Sequence, residues 1–195
     1  MVAVERDRRC IPALAELQSR YPDKLRVLDA DALSVDERAE AGDGAHVVSN
    51  LPYNVGTALP RRWLSGPWPP WWRPLTLMFQ REVAERIVAA PGSKDYGRLS
   101  ILSQWRSGAR IVMNVHRSAF VPPPKVMSAV VHIVPREMPE GVTPAVLVRL
   151  AQVGFGQRPK MVRSRLKELP GALGHVSALD VPVGADTPAA TRQPV

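Results

Sequence analysis

The chain has 195 residues, a length that suits one domain or one domain with a small appendix, and its hydrophobic content of 45% is ample for a core. This composition excludes a chain that is disordered along its whole length. Lys and Arg outnumber Asp and Glu by 26 to 18, which gives a formal net charge of +8. An excess of positive charge favours a polyanionic partner, of which nucleic acid is the simplest, over a role in solubility alone.

The number of cysteines and the composition of the first residues indicate the cellular compartment of the protein. A single cysteine, Cys10, excludes an internal disulfide framework and indicates a reducing environment. No apolar run approaches the roughly 18 residues that span a bilayer, and residues 1–7 are too charged for a signal peptide. We therefore predict a cytoplasmic protein without membrane contact. The four histidines lie far apart and none has metal-ligand spacing, so we also predict no metal.

The amino-terminal part of the chain alternates predicted strands and helices. Apolar runs predict strands at residues 1–4, 25–28 and 45–49, and apolar residues recur at helical spacing over residues 7–20. This alternation is typical of an α/β fold with a parallel sheet.

Polar side chains follow each of these predicted strands. Glu5 follows the first, Asp31 the second and Asn50 the third. The carboxyl ends of strands in a doubly wound sheet share one edge, so the three side chains could line one cleft. Taken singly, each acid is better explained as a helix cap or a solvated charge.

The turn after the third strand contains Asn50, Leu51, Pro52 and Tyr53. Pro52 fixes its own φ and keeps Leu51 out of the helical region, which holds the carbonyls of Asn50 and Leu51 in an extended turn. The Asn50 side chain adds another acceptor, and Tyr53 offers a flat face for a base. The arrangement suits an aromatic amine. On spacing alone, a strand-ending turn with Tyr53 in the core explains it equally well.

The middle of the chain is predicted to complete the sheet. A proline-dense stretch over residues 66–74 predicts a loop whose tryptophans buttress the core rather than stack on bases. The elements predicted after it are a strand at 75–79, helices at 80–87 and 98–106, and strands at 109–115 and 126–134. The last two strands indicate a sheet with one antiparallel strand at its end.

The carboxyl-terminal part differs from the rest of the chain in its predicted elements and its charge. Apolar spacing predicts two helices, and five cations lie on or between them without an acid before Glu168. Phosphate contact explains such a cluster better than a solvated helix face. We predict a main domain at 1–137, a small helical RNA-contacting domain at 138–180 and a disordered tail at 181–195. The five cations are Arg158, Lys160, Arg163, Arg165 and Lys167.

Seven stretches, in order between residues 4 and 169, carry a resemblance to a known family. Residues 96–100 (YGRLS) and 120–130, which contains PPPKV at 122–126, are the most specific, whereas the turn at 50–54 occurs in many amino-methylating enzymes. The other stretches are 4–7, 31–33, 79–83 and 155–160. Together they resemble the bacterial small-subunit ribosomal RNA adenine dimethyltransferases, the kasugamycin-resistance methylases.

The resemblance implies a fold, an activity and partners. The fold is a class I (Rossmann-like) methyltransferase α/β sheet with a small C-terminal helical domain. The activity is transfer of methyl groups from S-adenosylmethionine to N6 of two adjacent adenines near the 3′ end of small-subunit ribosomal RNA. The partner is that RNA or the immature small subunit, bound by a monomer. The alternatives are a resistance-type methyltransferase of large-subunit RNA and a non-catalytic RNA-binding remnant.

The resemblance also assigns residues to the cofactor. The acid that matches Glu5 binds the ribose hydroxyls, and the acid that matches Asp31, with Ala32 beside it, binds the adenine amino group. Asn50 also borders the cofactor. Ionised carboxylates accept hydrogen bonds and do not donate them, which suits both roles.

Other residues are implied to hold the target base. Asn50 and the carbonyl of Leu51 accept hydrogen bonds from the target amine, so positioning rather than a strong base supplies the rate. Tyr53 and Phe120 sandwich the base after it leaves its stack. The carboxyl-terminal cations hold the RNA backbone without reading sequence.

The chain departs from the family pattern at its start. The family opens with a strand and a Gly-rich loop before the acid that matches Glu5, and that strand lies in the middle of the sheet. We expect an N-terminally truncated member, in which two strands lack a shared neighbour and expose backbone donors and acceptors. We also expect weak or no binding of S-adenosylmethionine.

Overall fold

A computed structural model describes residues 1–51 and 58–155 of the chain. None of the helices in these ranges is long and apolar enough to cross a membrane. The strands are β1 (Val2–Glu5), β2 (Arg26–Asp29), β3 (Ala45–Asn50), β4 (Trp72–Gln80), β5 (Ser107–Val115) and β6 (Ser128–Pro135). The helices are α1 (Ile11–Arg20), α2 (Glu37–Ala41), α3 (Ala58–Ser65), α4 (Arg81–Val88), α5 (Arg98–Gln104) and α6 (Pro144–Phe155).

The strands form two separate sheets. β1 and β2 pair in parallel, and β3, β4, β6 and β5 form a four-stranded sheet in that order. Within the described ranges no strand lies between β1 and β3. The predicted antiparallel strand is β6, but it lies between β4 and β5 instead of at the edge.

The core lies on one face of the larger sheet. Leu75 and Leu77 of β4 pair with Ile133 and Val131 of β6, and all four side chains are fully buried. Their neighbours are apolar side chains of α3 and α4, among them Leu59. Because alternate residues of a strand point to opposite faces, these helices cover one face of the sheet.

The opposite face of the larger sheet is more exposed. Val48, Thr76 and His132 share one row across β3, β4 and β6. Thr76 Oγ1 and His132 Nδ1 lie 3.0 Å apart, within hydrogen-bond distance. Val48 is 78% exposed, a large fraction for an aliphatic side chain in a strand. The described residues therefore leave the β3 end of this face open.

Strand β4 begins at Trp72, three residues earlier than predicted. Trp72 pairs with Ala45 and Leu75 pairs with Val47, so one extra residue lies on the β4 side of the ladder. Pro74 falls at this irregularity, where a missing N–H breaks no regular ladder bond. The prediction that the tryptophans buttress the core is confirmed, since Trp72 is fully buried and the Trp68 ring meets it edge-on at 5.9 Å.

Two helices differ from the sequence prediction. α1 begins at Ile11 instead of residue 7, because the preceding residues form a turn in which the Asp7 carboxylate accepts the Arg9 N–H at 3.0 Å. α2 was not predicted, although its N-cap, Asp36, accepts a hydrogen bond from the third helical residue. Its five residues are too few to show helical periodicity.

The carboxyl-terminal part is described only as far as residue 155. α6 confirms the first of the two predicted helices, and its Leu147 is 2% exposed. The second predicted helix, the five-cation cluster and the tail lie outside the described residues. The domain boundaries near 137 and 180 remain predictions.

A buried arginine fixes the end of α3. Arg106 is 1% exposed and donates hydrogen bonds to the Leu64 carbonyl at 3.0 and 2.6 Å and to the Gly66 carbonyl at 2.6 Å. Its guanidinium carbon lies 4.3 Å from the Trp68 ring centroid and 5.0 Å from that of Trp105. Burial lowers the pKa of Arg106, but an arginine remains charged in a protein.

Replacing Arg106 with methionine should destabilise the fold. The change keeps most of the volume but leaves the carbonyls of Leu64 and Gly66 without their donor, at about 1–3 kcal/mol for each buried group. We expect urea denaturation to show a free energy of unfolding lower by about 3 kcal/mol. Arg110→Met, at an exposed position of β5, is the matched control and should change it little. Equal effects of the two substitutions would contradict this role of Arg106.

The edge of β3 that none of the described strands covers should be visible in amide hydrogen exchange. Successive N–H groups of an edge strand point alternately toward the paired strand and toward the open side. We expect alternate amides of β3 to exchange as fast as unprotected ones, whereas those of β4, paired on both edges, are protected along the strand. Uniform protection along β3 would show that another strand covers its edge.

Candidate functional site

Glu5 ends β1 with its carboxylate held by the chain that follows. One oxygen, Oε1, accepts the backbone N–H groups of Arg6 at 2.8 Å and of Asp7 at 2.7 Å. The other oxygen, Oε2, has no hydrogen-bond partner among the described residues. The side chain is thus oriented by its own turn and presents one free acceptor.

Asp31 lies two residues beyond the end of β2. Its Oδ1 accepts the Leu33 N–H at 2.9 Å, and its Oδ2 accepts a hydrogen bond from the Arg6 guanidinium at 2.6 Å. The Arg6 side chain is 73% exposed, so this ion pair contributes little to stability. A donor on a bound molecule could replace Arg6 at Oδ2 at small cost. Because β1 and β2 are parallel neighbours, Glu5 and Asp31 lie at the same edge of the small sheet.

A third acid at this edge is already paired. Asp7 accepts hydrogen bonds from the Arg9 side chain at 2.9 and 3.0 Å, and this arginine lowers the pKa of Asp7 to about 2. Its charge is compensated by Arg9, whereas Glu5 Oε2 has no partner among the described residues and Asp31 Oδ2 contacts only the exposed Arg6 side chain.

Asn50 is the last residue of β3. It pairs with Met78 of β4, and its side chain is exposed. The next residue, Leu51, is 8% exposed and belongs to the main apolar core. Strand pairing on one side and burial of Leu51 on the other therefore fix the backbone that presents Asn50. Tyr53, the other predicted contact in this turn, lies outside the described residues.

A contact that the sequence analysis missed connects α3 to the segment after Asp31. Arg62 donates hydrogen bonds to the Ala32 carbonyl at 2.9 Å and the Leu33 carbonyl at 2.7 Å, and it pairs with Glu37. Trp63 Nε1 also donates to Glu37, at 2.8 Å. We call these five residues the Arg62 clamp. Thirty residues separate Arg62 from Ala32, so no local pattern could reveal it.

Phe120 is half-buried in the loop of residues 116–127, which joins β5 to β6. β6 is antiparallel to β4, so its first residue, Ser128, pairs with Gln80 at the carboxyl end of β4. The loop therefore lies at the same edge of the larger sheet as Asn50. Val121, next to Phe120, is fully exposed.

The structure brings some of the predicted site residues together and leaves others apart. Glu5 and Asp31 are linked through Arg6, and Ala32 packs against the core cluster that includes Leu51. Asn50 belongs to the other sheet, and none of the hydrogen bonds of the described part joins it to either acid. The predicted RNA-binding cations, Arg158, Lys160, Arg163, Arg165 and Lys167, lie outside the described residues. Within residues 1–51 and 58–155, no group of three or more His, Cys, Asp or Glu side chains could hold a metal ion.

The curated relatives are named as enzymes of one kind. A protein of Erythrobacter litoralis, named ribosomal RNA small subunit methyltransferase A, is 60% identical over 89% of this chain and 62% of its own length. A protein of the same name from Zymomonas mobilis is 58% identical over 87% of this chain and 61% of its own length. The chain thus spans about three fifths of the length of these relatives.

Solved structures share the fold. A dimethyladenosine transferase from Plasmodium falciparum superposes with a TM-score of 0.74 at 26% identity, over 90% of this chain and 62% of that one. The 23S rRNA methyltransferase ErmE superposes with a TM-score of 0.67 at 23% identity, over 93% of this chain and 77% of its own. The predicted methyltransferase fold class is therefore confirmed. Since the family model described as "Ribosomal RNA adenine dimethylase" also matches residues 1–184, the chain belongs to the ribosomal RNA adenine dimethylase family.

Proposed function

We propose that this chain transfers methyl groups from S-adenosylmethionine to N6 of adenine in small-subunit ribosomal RNA, acting on two adjacent adenines near the 3′ end. The observation that carries the proposal is the exposed Asn50 side chain, presented at the end of β3 by strand pairing and by the buried Leu51. The names of relatives at up to 60% identity support the small-subunit substrate. The RNA or the immature subunit would be the partner, and a monomer in the cytoplasm remains the expectation from sequence.

The target amine needs positioning because its lone pair is delocalised into the adenine ring. The side-chain oxygen of Asn50 and the carbonyl of Leu51 would accept the two N–H groups and turn them out of the ring plane. The lone pair is then available and aimed at the methyl carbon. Two transfers replace both hydrogens on N6, and each displaced proton leaves to solvent. No side chain has to act as a strong base.

The target base has to leave its stack to reach Asn50. Phe120, at the same edge of the sheet, would contact one face of the extruded base, and Tyr53 the other. Stacking on an aromatic side chain contributes about 1–3 kcal/mol for each base, comparable to the cost of unstacking it.

The acceptors at the edge of the small sheet fit the nucleoside part of S-adenosylmethionine. Ribose hydroxyls and the adenine amino group are donors, and Glu5 Oε2 and Asp31 Oδ2 are accessible carboxylate acceptors. Ala32 and Asn50 would border the same molecule. The cofactor, when bound, supplies an electrophilic methyl group on a sulfonium.

Two alternatives have different support. ErmE, named for large-subunit RNA, shares the fold at 23% identity, well below the 60% of the small-subunit relative. The division of the sheet favours a second candidate, an RNA-binding protein without methyl transfer, because the acceptors for the cofactor and for the target amine lie on separate sheets.

Replacing Asn50 with alanine tests the catalytic proposal. Immature small subunits that lack the modification are incubated with the chain and S-adenosylmethionine, and dimethyladenine is measured by mass spectrometry. We expect a rate at least about a hundredfold lower, the usual cost of losing one oriented polar group at a reacting centre. His46→Ala, at an exposed position on the same face of β3, is the control and should keep the rate.

The outcomes of this assay separate the candidates. An Asn50→Ala variant as active as the unmodified chain would refute the role of Asn50. Binding of the subunit by the unmodified chain without methyl transfer would select the RNA-binding candidate, and methylation of large-subunit RNA alone would select the resistance type.

A separate measurement tests the cofactor acceptors. Ligand-observed NMR should detect weak binding of S-adenosylmethionine, with saturation reaching its ribose and adenine protons. Glu5→Gln and Asp31→Asn should each weaken binding about tenfold, because each removes a hydrogen bond to a charged acceptor. Glu16→Gln, on the exposed face of α1, is the matched control. Equal saturation transfer for all four proteins would exclude this edge as the nucleoside site.

A further inference from the structure

A cavity of about 500 Å³ opens at the carboxyl-terminal edge of the larger sheet. It lies between the start of α4 and the loop of residues 116–127, and most of its lining side chains are polar or charged. We call it the basic cavity. The charged and titratable side chains that line it are Arg81, Glu82, Glu85, His116, Arg117 and Lys125.

The two acids of the basic cavity are already paired. Glu85 pairs with Arg81 at 2.8 Å, and Glu82 pairs with Arg86 at 2.5 Å, each one helical turn apart. Both pairs follow from i,i+4 spacing on α4 and add no net charge. The acids therefore do not neutralise the cations on the opposite wall.

That wall carries two cations without an acidic partner. Arg117 and Lys125 are exposed, and neither forms an ion pair within the described part of the chain. Both belong to the loop that also bears Phe120. His116 Nδ1 lies 2.8 Å from Ser118 Oγ, so the histidine ring is tied to its own loop. The wall therefore presents two positive charges to anything that enters the cavity.

The basic cavity lies close to the proposed target site. Gln80, one of its lining residues, is two residues beyond Met78, which pairs with Asn50. With a rise of about 3.3 Å per residue and a strand spacing of about 4.8 Å, Gln80 is on the order of 8 Å from Asn50. The backbone of an RNA strand whose base reaches Asn50 would therefore pass close to the cavity.

We propose that the basic cavity binds the phosphodiester backbone of the RNA next to the target adenine, with Arg117 and Lys125 contacting phosphates. The inference rests on the proposed function and adds a second RNA contact, distinct from the predicted cluster at residues 158–167. Contacts of this kind fix the position of a strand without reading its sequence. They would hold the nucleotide beside Phe120 and Asn50 while its base is out of the stack.

The test is the salt dependence of RNA binding by the full chain. A short labelled single-stranded RNA with two adjacent adenines is titrated in fluorescence anisotropy at several salt concentrations. Each phosphate contact to a single strand contributes about 0.7 to the slope of log K against log salt. The double variant Arg117→Ala/Lys125→Ala should therefore lose about 1.4 in slope and bind about 25-fold more weakly at about 0.1 M salt.

The matched control is the double variant Arg73→Ala/Lys24→Ala. It removes the same two charges from exposed positions near the amino ends of β4 and β2, at the opposite edges of the two sheets. We expect it to retain the slope of the unmodified chain. All four side chains are exposed, so neither variant should unfold the protein.

Three results would overturn the proposal. The first is an unchanged slope in the Arg117/Lys125 variant, and the second is an equal loss in the control. The third is displacement of the RNA by inorganic phosphate at constant ionic strength, which would assign the basic cavity to a free anion. Methyl transfer does not enter this measurement. A chain that binds RNA through the cavity but transfers no methyl group would refute the proposed function alone.

Discussion

β6 runs antiparallel between β4 and β5, and the positions of the other elements follow from this pairing. The inward aliphatic side chains of β4 and β6 are fully buried, and burial of each Leu, Ile or Val contributes about 1.5–3 kcal/mol. This apolar face orients α3 and α4. β4 in turn supplies the only described partner of β3, so the place of Asn50 depends on the same pairing.

Because the described strands form two sheets, the Arg62 clamp is needed to hold the segment after Asp31 against α3. Strand pairing sets a distance and an angle through a row of regular hydrogen bonds, but no such row joins β1 to β3 within the described ranges. Arg62 and Trp63 instead hold the segment after Asp31 through its carbonyls and through Glu37. A few side-chain contacts constrain orientation less than a ladder does. The acceptors proposed for the cofactor and for the target amine are therefore less firmly placed relative to each other than the residues within either sheet.

Local patterns predicted most strands and helices, and they predicted that Glu5 and Asn50 stand at strand ends. They failed where long-range contacts decide the outcome. Pro74 argued against a strand, but the bulge against β3 lets β4 pass through it. The Arg62 clamp and the basic cavity join residues far apart in the chain, which periodicity cannot show. The division into two sheets within the described ranges was likewise visible only in the structure, because no local pattern in this chain reveals which strands pair.

The antiparallel direction of β6 has a consequence for the order in which the site is assembled. β5 and β6 form a hairpin closed by the loop of residues 116–127, so their pairing costs little chain entropy. The β4–β6 pairing must close a longer segment, with Thr76 and His132 separated by 56 residues. Local contacts generally form faster than distant ones. We therefore expect the loop that bears Phe120, Arg117 and Lys125 to take shape first, and Asn50 to reach it only when β3 and β4 dock onto the finished hairpin.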